Sequence, residues 1–340
     1  MSGAVWITGP PDSGTPGIAR AAVERLRAEG RRVALLELDA MRRVITPHPT
    51  DSDVERHRLY RALVYVAAGL VEAGVPVIID APAPRRQWRD RARATIRRFA
   101  EVELMTTPVP GVDVAYERAT APELIIDTGQ QSVEAAGEAV AALARRVAAD
   151  TAPVPGTPAW VMWMTGVPGS GKTTLAWSVA DRLTAQGIAV RVLDAQGARA
   201  AVTGGGAVTP GDEETAHLAL AYAATCLSEA GVAVLVDATA PRRAWRERAR
   251  ALVPHFAEVQ LVCPEPVSST RERAVRWHLE GGRRPEAPAT AAPDIVTDYE
   301  YARRPELTIH TDVEDPWTAV ETLLCLARRL APPRPACSRT

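Results

Sequence analysis

Lysine is almost missing from this chain. Of 40 lysine and arginine residues among 340, Lys172 is the only lysine. Phenylalanine is nearly as scarce, with Phe99 and Phe256 alone. Neither charge sign is in excess, since 40 basic against 41 acidic residues leave a formal net charge of -1. That balance supplies no global field for nucleic acid or an acidic membrane. Nor does any stretch offer the aromatic and basic groove of a single-strand binder. No apolar run approaches the roughly 18 residues of a membrane-spanning helix. The opening MSGAVWITG passes straight into a strand-like apolar run, without the basic, apolar and small-residue succession of a secretory leader. Cys226, Cys263, Cys325 and Cys337 form no CxxC pair and no metal-like spacing. The expectation is a cytoplasmic protein with reduced thiols and with neither nucleic-acid nor membrane partners.

What is present is a repeat. Val5-Trp6-Ile7-Thr8-Gly9 aligns with Met162-Trp163-Met164-Thr165-Gly166 at an offset of 157 residues. The same offset relates Ile79-Asp80 and Pro84-Arg85-Arg86 to Val236-Asp237 and Pro241-Arg242-Arg243, and Phe99-Ala100-Glu101-Val102 to Phe256-Ala257-Glu258-Val259. Tyr116-Glu117 and Pro122-Glu123-Leu124 recur as Tyr299-Glu300 and Pro305-Glu306-Leu307 at an offset of 183, so the second copy carries 26 extra residues. Each copy alternates short apolar strands with helices, which predicts an α/β fold with a parallel sheet covered on both faces. In the second copy the strands are expected at 160–165, 189–193, 232–236, 259–263 and 307–309, and helices at 173–186, 214–230 and 317–330. The predicted organisation is a domain over 1–150, a proline-rich linker over 151–158, a second domain over 159–331 and a disordered tail over 332–340.

The lone lysine lies in Gly166-Val167-Pro168-Gly169-Ser170-Gly171-Lys172-Thr173, followed by Thr174. This is a phosphate-loop pattern with a strand before it and a helix after it. Arginine replaces lysine readily on solvated surfaces but not where a compact ammonium must sit among phosphate oxygens. Glycines let backbone N–H groups turn inward as an anion nest at a helix N-terminus. The expected ligand is ATP with Mg²⁺, bound by Gly166, Pro168, Gly169, Ser170, Gly171, Lys172, Thr173 and Thr174, with Lys172 on the β- and γ-phosphates and the Thr173 hydroxyl on the metal. Asp194 and Asp237 close two strands, where carboxylates face the ligand crevice. One is expected to accept a proton and the other to support Mg²⁺, with Asp237 preferred for the metal and Asp194 as base. The 26-residue insertion, about 264–298, carries Arg271, Arg273, Arg276, Arg283 and Arg284. It reads as an arginine-bearing lid, with Arg271 as a candidate catalytic residue and the acting arginine left open. Trp245, Trp277 and Trp317 read as core, the Arg243–Arg250 cluster as an exposed helix face, and the histidines as without a role.

The first copy has Gly9-Pro10-Pro11-Asp12-Ser13-Gly14-Thr15-Pro16 at the loop position. Thr15 replaces the lysine, Pro16 removes the metal-binding hydroxyl, and Asp12 sets a negative charge among phosphate oxygens. In a dehydrated pocket that repulsion costs on the order of several kcal/mol. One usual ATP site, in the second copy, is therefore expected.

These segments resemble the adenylylsulfate kinase (APS kinase) family and related small P-loop kinases. In that family a strand ending WLTG leads into GxSGSGKST, and a later strand ends LDGDNVR. The counterparts are Trp163-Met164-Thr165-Gly166, the loop above, and Leu193-Asp194-Ala195-Gln196-Gly197-Ala198-Arg199. The resemblance covers both copies and implies two tandem P-loop kinase domains, each a mostly five-stranded parallel sheet. It implies phosphoryl transfer from ATP to a hydroxyl of a small molecule, with Asp194 near that hydroxyl and Arg199 near the acceptor's anionic group. Pairing of such kinases implies an intramolecular pseudo-dimer of the two halves, a homodimer remaining open. There are departures. Gln196 replaces the second aspartate, Asp212-Glu213-Glu214-Thr215-Ala216 replaces DRxxN, and no phenylalanine stands at either stacking position. The first copy instead keeps Asp39 at the second-aspartate position, with Arg42, Arg43 and Arg56 available as acceptor contacts. It serves either as a nucleotide-incompetent partner domain or as a contributor to the acceptor site. A kinase of a small metabolite, adenylylsulfate kinase proper, and a nucleotide-dependent switch with slow hydrolysis are the three functions that follow.

Overall fold

The computed structural model describes residues 2–50, 52–106, 116–148, 159–205, 208–279 and 298–331. The expected linker, the expected tail and most of the expected lid lie outside them.

The first copy runs β1 (Ala4–Thr8), α1 (Thr15–Ala28), β2 (Ala34–Glu37), α2 (Leu38–Ile45), α3 (Asp53–Glu72), β3 (Val77–Asp80), α4 (Arg86–Thr95), β4 (Phe99–Met105), β5 (Leu124–Asp127) and α5 (Val133–Val147). The second runs β6 (Val161–Thr165), α6 (Lys172–Ala185), β7 (Val190–Asp194), α7 (Ala195–Thr203), α8 (Pro210–Glu229), β8 (Ala233–Asp237), α9 (Arg243–Leu252), β9 (Phe256–Val262), α10 (Glu265–Leu279), β10 (Leu307–His310) and α11 (Pro316–Leu330). Both sheets have five strands, ordered β2-β3-β1-β4-β5 and β7-β8-β6-β9-β10. Every pairing in them is parallel. The α/β double-sheet expectation therefore holds. The central strands AVWIT and VMWMT are buried at all five positions, as continuous apolar runs between two helical layers must be.

Helices α1 and α6 bury the same face, Ile18, Ala19, Ala22, Val23 and Leu26 in one and Leu175, Ala176, Val179, Ala180 and Leu183 in the other. Each begins after a left-handed glycine, Gly14 or Gly171, a conformation that costs glycine little. Helix α8 starts at Pro210, four residues before the expected 214, because Thr209 and Asp212 form a capping box around the N1 proline.

The chain packs as two compact units, and their division departs from the repeat boundary. One is Met1–Gly156 with Gln196–Gly231, the other Thr157–Ala195 with Val232–Thr340. Helix α8 and most of α7, expected in the second domain, thus belong to the first unit. The reason is compositional: α8 buries Leu218, Ala219, Leu220, Ala221, Ala223, Ala224 and Leu227, apolar residues all around its circumference. Such a helix needs packing partners on more than one side, and it packs on α3 and α2.

Candidate active site

The loop of the second unit has the geometry that its glycines predict. Gly166, Gly169 and Gly171 have φ of 154°, 76° and 91°. Lys172 is buried, and its ammonium donates to Gly166 O at 2.9 Å and Val167 O at 3.0 Å. Burial pushes its pKa down to about 8, although the carboxylates of Asp237 and Glu272 pull the other way. An ammonium has three donors, so one remains for a phosphate oxygen after both carbonyls are served.

Thr173 Oγ1 donates to Asp237 Oδ2 over 2.6 Å. Asp237 ends β8 and lies in register with Asp194 at the end of β7, so the sheet itself sets the two carboxylates side by side. Burial raises the Asp237 pKa, the Thr173 hydrogen bond and Lys172 oppose that rise, and Asp194 reinforces it. Two hard oxygens, one hydroxyl and one carboxylate, in contact beside an anion-binding loop suit Mg²⁺, which takes few protein ligands and keeps several waters.

Arg271, on α10, donates to Thr311 O at 2.9 Å and contacts Thr311 Oγ1 at 3.4 Å and Cys263 Sγ at 3.8 Å. The side chain of Arg276 and residues 283 and 284 lie outside the described part. The described part of the expected lid, α10, comes against the loop at Gly169. A Cβ at Gly169 would fall 2.1 Å from Ser268 O, so only glycine fits there.

The first copy keeps the loop's shape without its chemistry. Asp12, with φ of 62°, stands where Gly169 stands, and Gly14 where Gly171 does. Thr15 stands in place of Lys172, and burial raises the pKa of Asp80, the counterpart of Asp237, with Thr15 opposing that rise. Glu37, the counterpart of Asp194, is taken by Arg20 at 2.7 Å.

Arg199, Asp39, Arg42, Arg43 and Arg56 all fall in the first unit. Arg199 pairs with Glu213 at 2.6 Å, Arg42 with Glu55 at 3.8 Å and Arg56 with Asp53 at 2.9 Å. Asp39 and Arg43 are exposed on α2. Three of the four candidate acceptor arginines therefore have acidic partners.

Two readings of bulky residues are corrected. Trp317 is 64% exposed, with the Arg182 guanidinium 4.1 Å over its ring. The Arg243–Arg250 cluster contains Arg246, which is fully buried. Its Nε donates to Glu258 at 2.6 Å, and its other nitrogens reach Ala240 O and Glu300 O. Arg89 does the same in the first copy with Glu101, Ala83 O and Glu117 O. Beside each arginine a tyrosine meets the last threonine of the central strand, Tyr299 with Thr165 at 2.9 Å and Tyr116 with Thr8 at 3.3 Å. The signal for this knot was the repeat, which preserves Trp-Arg, Phe-Ala-Glu-Val and Tyr-Glu in both copies.

A parallel five-stranded sheet, a glycine loop after its central strand and paired strand-end carboxylates define a P-loop kinase fold. A family model for adenylylsulphate kinase matches residues 1–109 and 158–310, and the chain belongs to that family, whose members are phosphotransferases acting on a hydroxyl acceptor. A probable adenylyl-sulfate kinase of Archaeoglobus fulgidus is 32% identical over 150 residues, spanning 38% of this chain and 97% of its own. The adenylyl-sulfate kinase of Rippkaea orientalis is 30% identical over 177 residues, spanning 50% of this chain and 96% of its own. Among solved structures, the APS kinase of Mycobacterium tuberculosis in complex with AMPPNP and APS has a TM-score of 0.41 at 23% identity, over 51% of this chain and 99% of that one. The hexameric APS kinase from Thiobacillus denitrificans has a TM-score of 0.38 at 16% identity, over 96% of this chain and 65% of that one. Among the described residues, no helix is long and apolar enough to cross a membrane.

Proposed function

We propose that this protein is an ATP-dependent kinase with one ATP site per chain, in the second copy, and that it phosphorylates a hydroxyl of a small metabolite. The observation that carries the reading is the contrast between copies: Lys172 and the Thr173–Asp237 pair in one, Thr15 and Pro16 at the same positions in the other.

Lys172 donates its remaining N–H to the phosphate oxygens, and the backbone of Gly166–Thr173 cradles them. Thr173 and Asp237 would hold Mg²⁺, which when bound neutralises charge on the phosphate oxygens. Because Thr173 donates to Asp237, the lone pairs of its hydroxyl oxygen would remain available to the metal. Asp194, exposed at the adjoining strand end, accepts the proton of the attacking hydroxyl. Arg271 serves the lid.

Family membership favours adenylylsulfate as the acceptor. Against it stand Gln196, the Arg199–Glu213 pair and the absence of stacking phenylalanines. The test measures ADP release with ATP·Mg²⁺ and a panel of acceptor alcohols that includes adenylylsulfate. Acceptor-dependent release supports the kinase. Slow release that no acceptor accelerates supports a nucleotide-dependent switch and overturns the kinase reading.

A further inference from the structure

Within the first unit, three arginines of the first copy grip the connection between α7 and α8. Arg61, on α3, donates through Nη1 to Val202 O at 3.2 Å and Thr203 O at 2.8 Å. Arg91, on α4, reaches Ala201 O at 3.5 Å. These carbonyls close α7, where a helix has no acceptor-side partners of its own and carries partial negative charge. At the start of α8, Arg58 Nε lies 2.5 Å from Asp212 Oδ1, and its Nη2 donates to Thr209 Oγ1 at 3.1 Å. Arg58 thus binds the capping box, while Arg61 and Arg91 bind the preceding helix end. The backbone leaves room for them: a Cβ at Gly204 would sit 2.7 Å from Arg61 Cζ, and one at Gly211 3.3 Å from Arg58 Nη1.

The two arginines on α3 have no counterpart in the second copy. The repeat places Thr215 and Leu218 where the first copy has Arg58 and Arg61. Thr215 donates to Gly211 O of its own helix, and Leu218 is fully buried. Two equivalent copies packed about a two-fold axis would hold each other reciprocally. Here α3 carries the arginines and α8 does not.

We infer that Arg58, Arg61 and Arg91 are positioning residues, through which the copy that lost its phosphate-binding lysine holds the α7–α8 arm of the copy that kept it. The arm continues directly from Asp194 and leads back into β8, which ends in Asp237. It also carries Arg199. The inference rests on the kinase reading for its consequence in turnover, but the grip itself is independent of that reading.

The test is hydrogen exchange by mass spectrometry on the full chain, comparing the parent with Arg58→Ala/Arg61→Ala. The expected result is exchange at least about tenfold faster at amides in 199–205 and 212–216, with β6 and α6 unchanged. Arg61→Lys should keep the protection of 199–205, because both carbonyls are served by one nitrogen, which an ammonium can replace. Unchanged exchange in both segments overturns the inference. So does uniform acceleration along the chain, which marks a general loss of stability. If the double variant does not fold, Arg61→Ala alone is read, with faster exchange in 199–205 expected and an unchanged rate overturning it. No acceptor or turnover enters this measurement, so failure of the kinase reading leaves it interpretable.

Discussion

Thr173 donates its hydroxyl proton to Asp237 over 2.6 Å, whereas their counterparts in the first copy are Pro16, which has no hydroxyl, and Asp80. The first pair is a ready set of oxygen donors for a divalent cation. The second lacks the hydroxyl oxygen. Thr173→Val removes the hydroxyl and keeps the shape. Phosphate transfer in saturating ATP·Mg²⁺ should fall about a hundredfold, within the range for losing one positioned electrostatic partner. ATP affinity measured without Mg²⁺ should change less than about threefold. Equal losses with and without the metal would remove Thr173 from metal binding.

The depressed pKa of Lys172 makes a pH prediction with a definite sign. Its folded value of about 8 lies below its usual 10.5. Below pH 8 it is protonated before ATP arrives, and between pH 8 and 10.5 it is neutral in the folded protein but protonated when unfolded. Folding stability from this group is therefore lowest below pH 8 and rises through that window. Phosphate binding favours the charged form, so ATP binding at pH 8.5 should take up protons, and binding at pH 7 should take up none through Lys172. Calorimetry in buffers of different ionisation enthalpy reads this directly. Identical proton counts at both values would contradict it.

Gly169 and Gly171 both have positive φ, 76° and 91°, but only Gly169 is hemmed in, with Ser268 O 2.1 Å from an added Cβ. Gly171→Ala meets nothing within 4 Å and should cost about 1 kcal/mol of stability, the backbone penalty alone. Gly169→Ala must displace α10 or the loop. It should weaken nucleotide binding more than tenfold, the level of a lost binding contact of about 1.4 kcal/mol, while Gly171→Ala weakens it less.

Arg246→Leu leaves Glu258 buried with only Arg250 near it, at 3.4 Å. Removing one partner of a buried ion pair costs about 3–5 kcal/mol, and chemical denaturation should show that loss. Arg243→Ala, on the same helix but partly exposed, should cost less than about 1 kcal/mol.

The fold and the phosphate loop were legible because their signals are local. Apolar strands such as VMWMT, a glycine before each P-loop helix and the single lysine all announce themselves within a few residues. The misread features depend on partners far along the chain. Arg246 looks like any arginine on a charged helix until Glu258 and the carbonyls of Ala240 and Glu300 close around it. Helix α8 looks like part of the second domain until its all-round apolar surface finds α3. Trp317 looks like core, yet its ring lies outside under Arg182. The contact of Ser268 with Gly169 could not be read because glycine fits the loop motif for two reasons, and the sequence does not separate them.

The central claim is that one copy binds ATP and the other does not. Titrating the full chain with a non-hydrolysable ATP analogue and Mg²⁺, by calorimetry, tests it most directly. The account predicts one site per chain, abolished by Lys172→Ala and unaffected by Thr15→Ala. Two sites per chain, or a single site that survives Lys172→Ala, would contradict it.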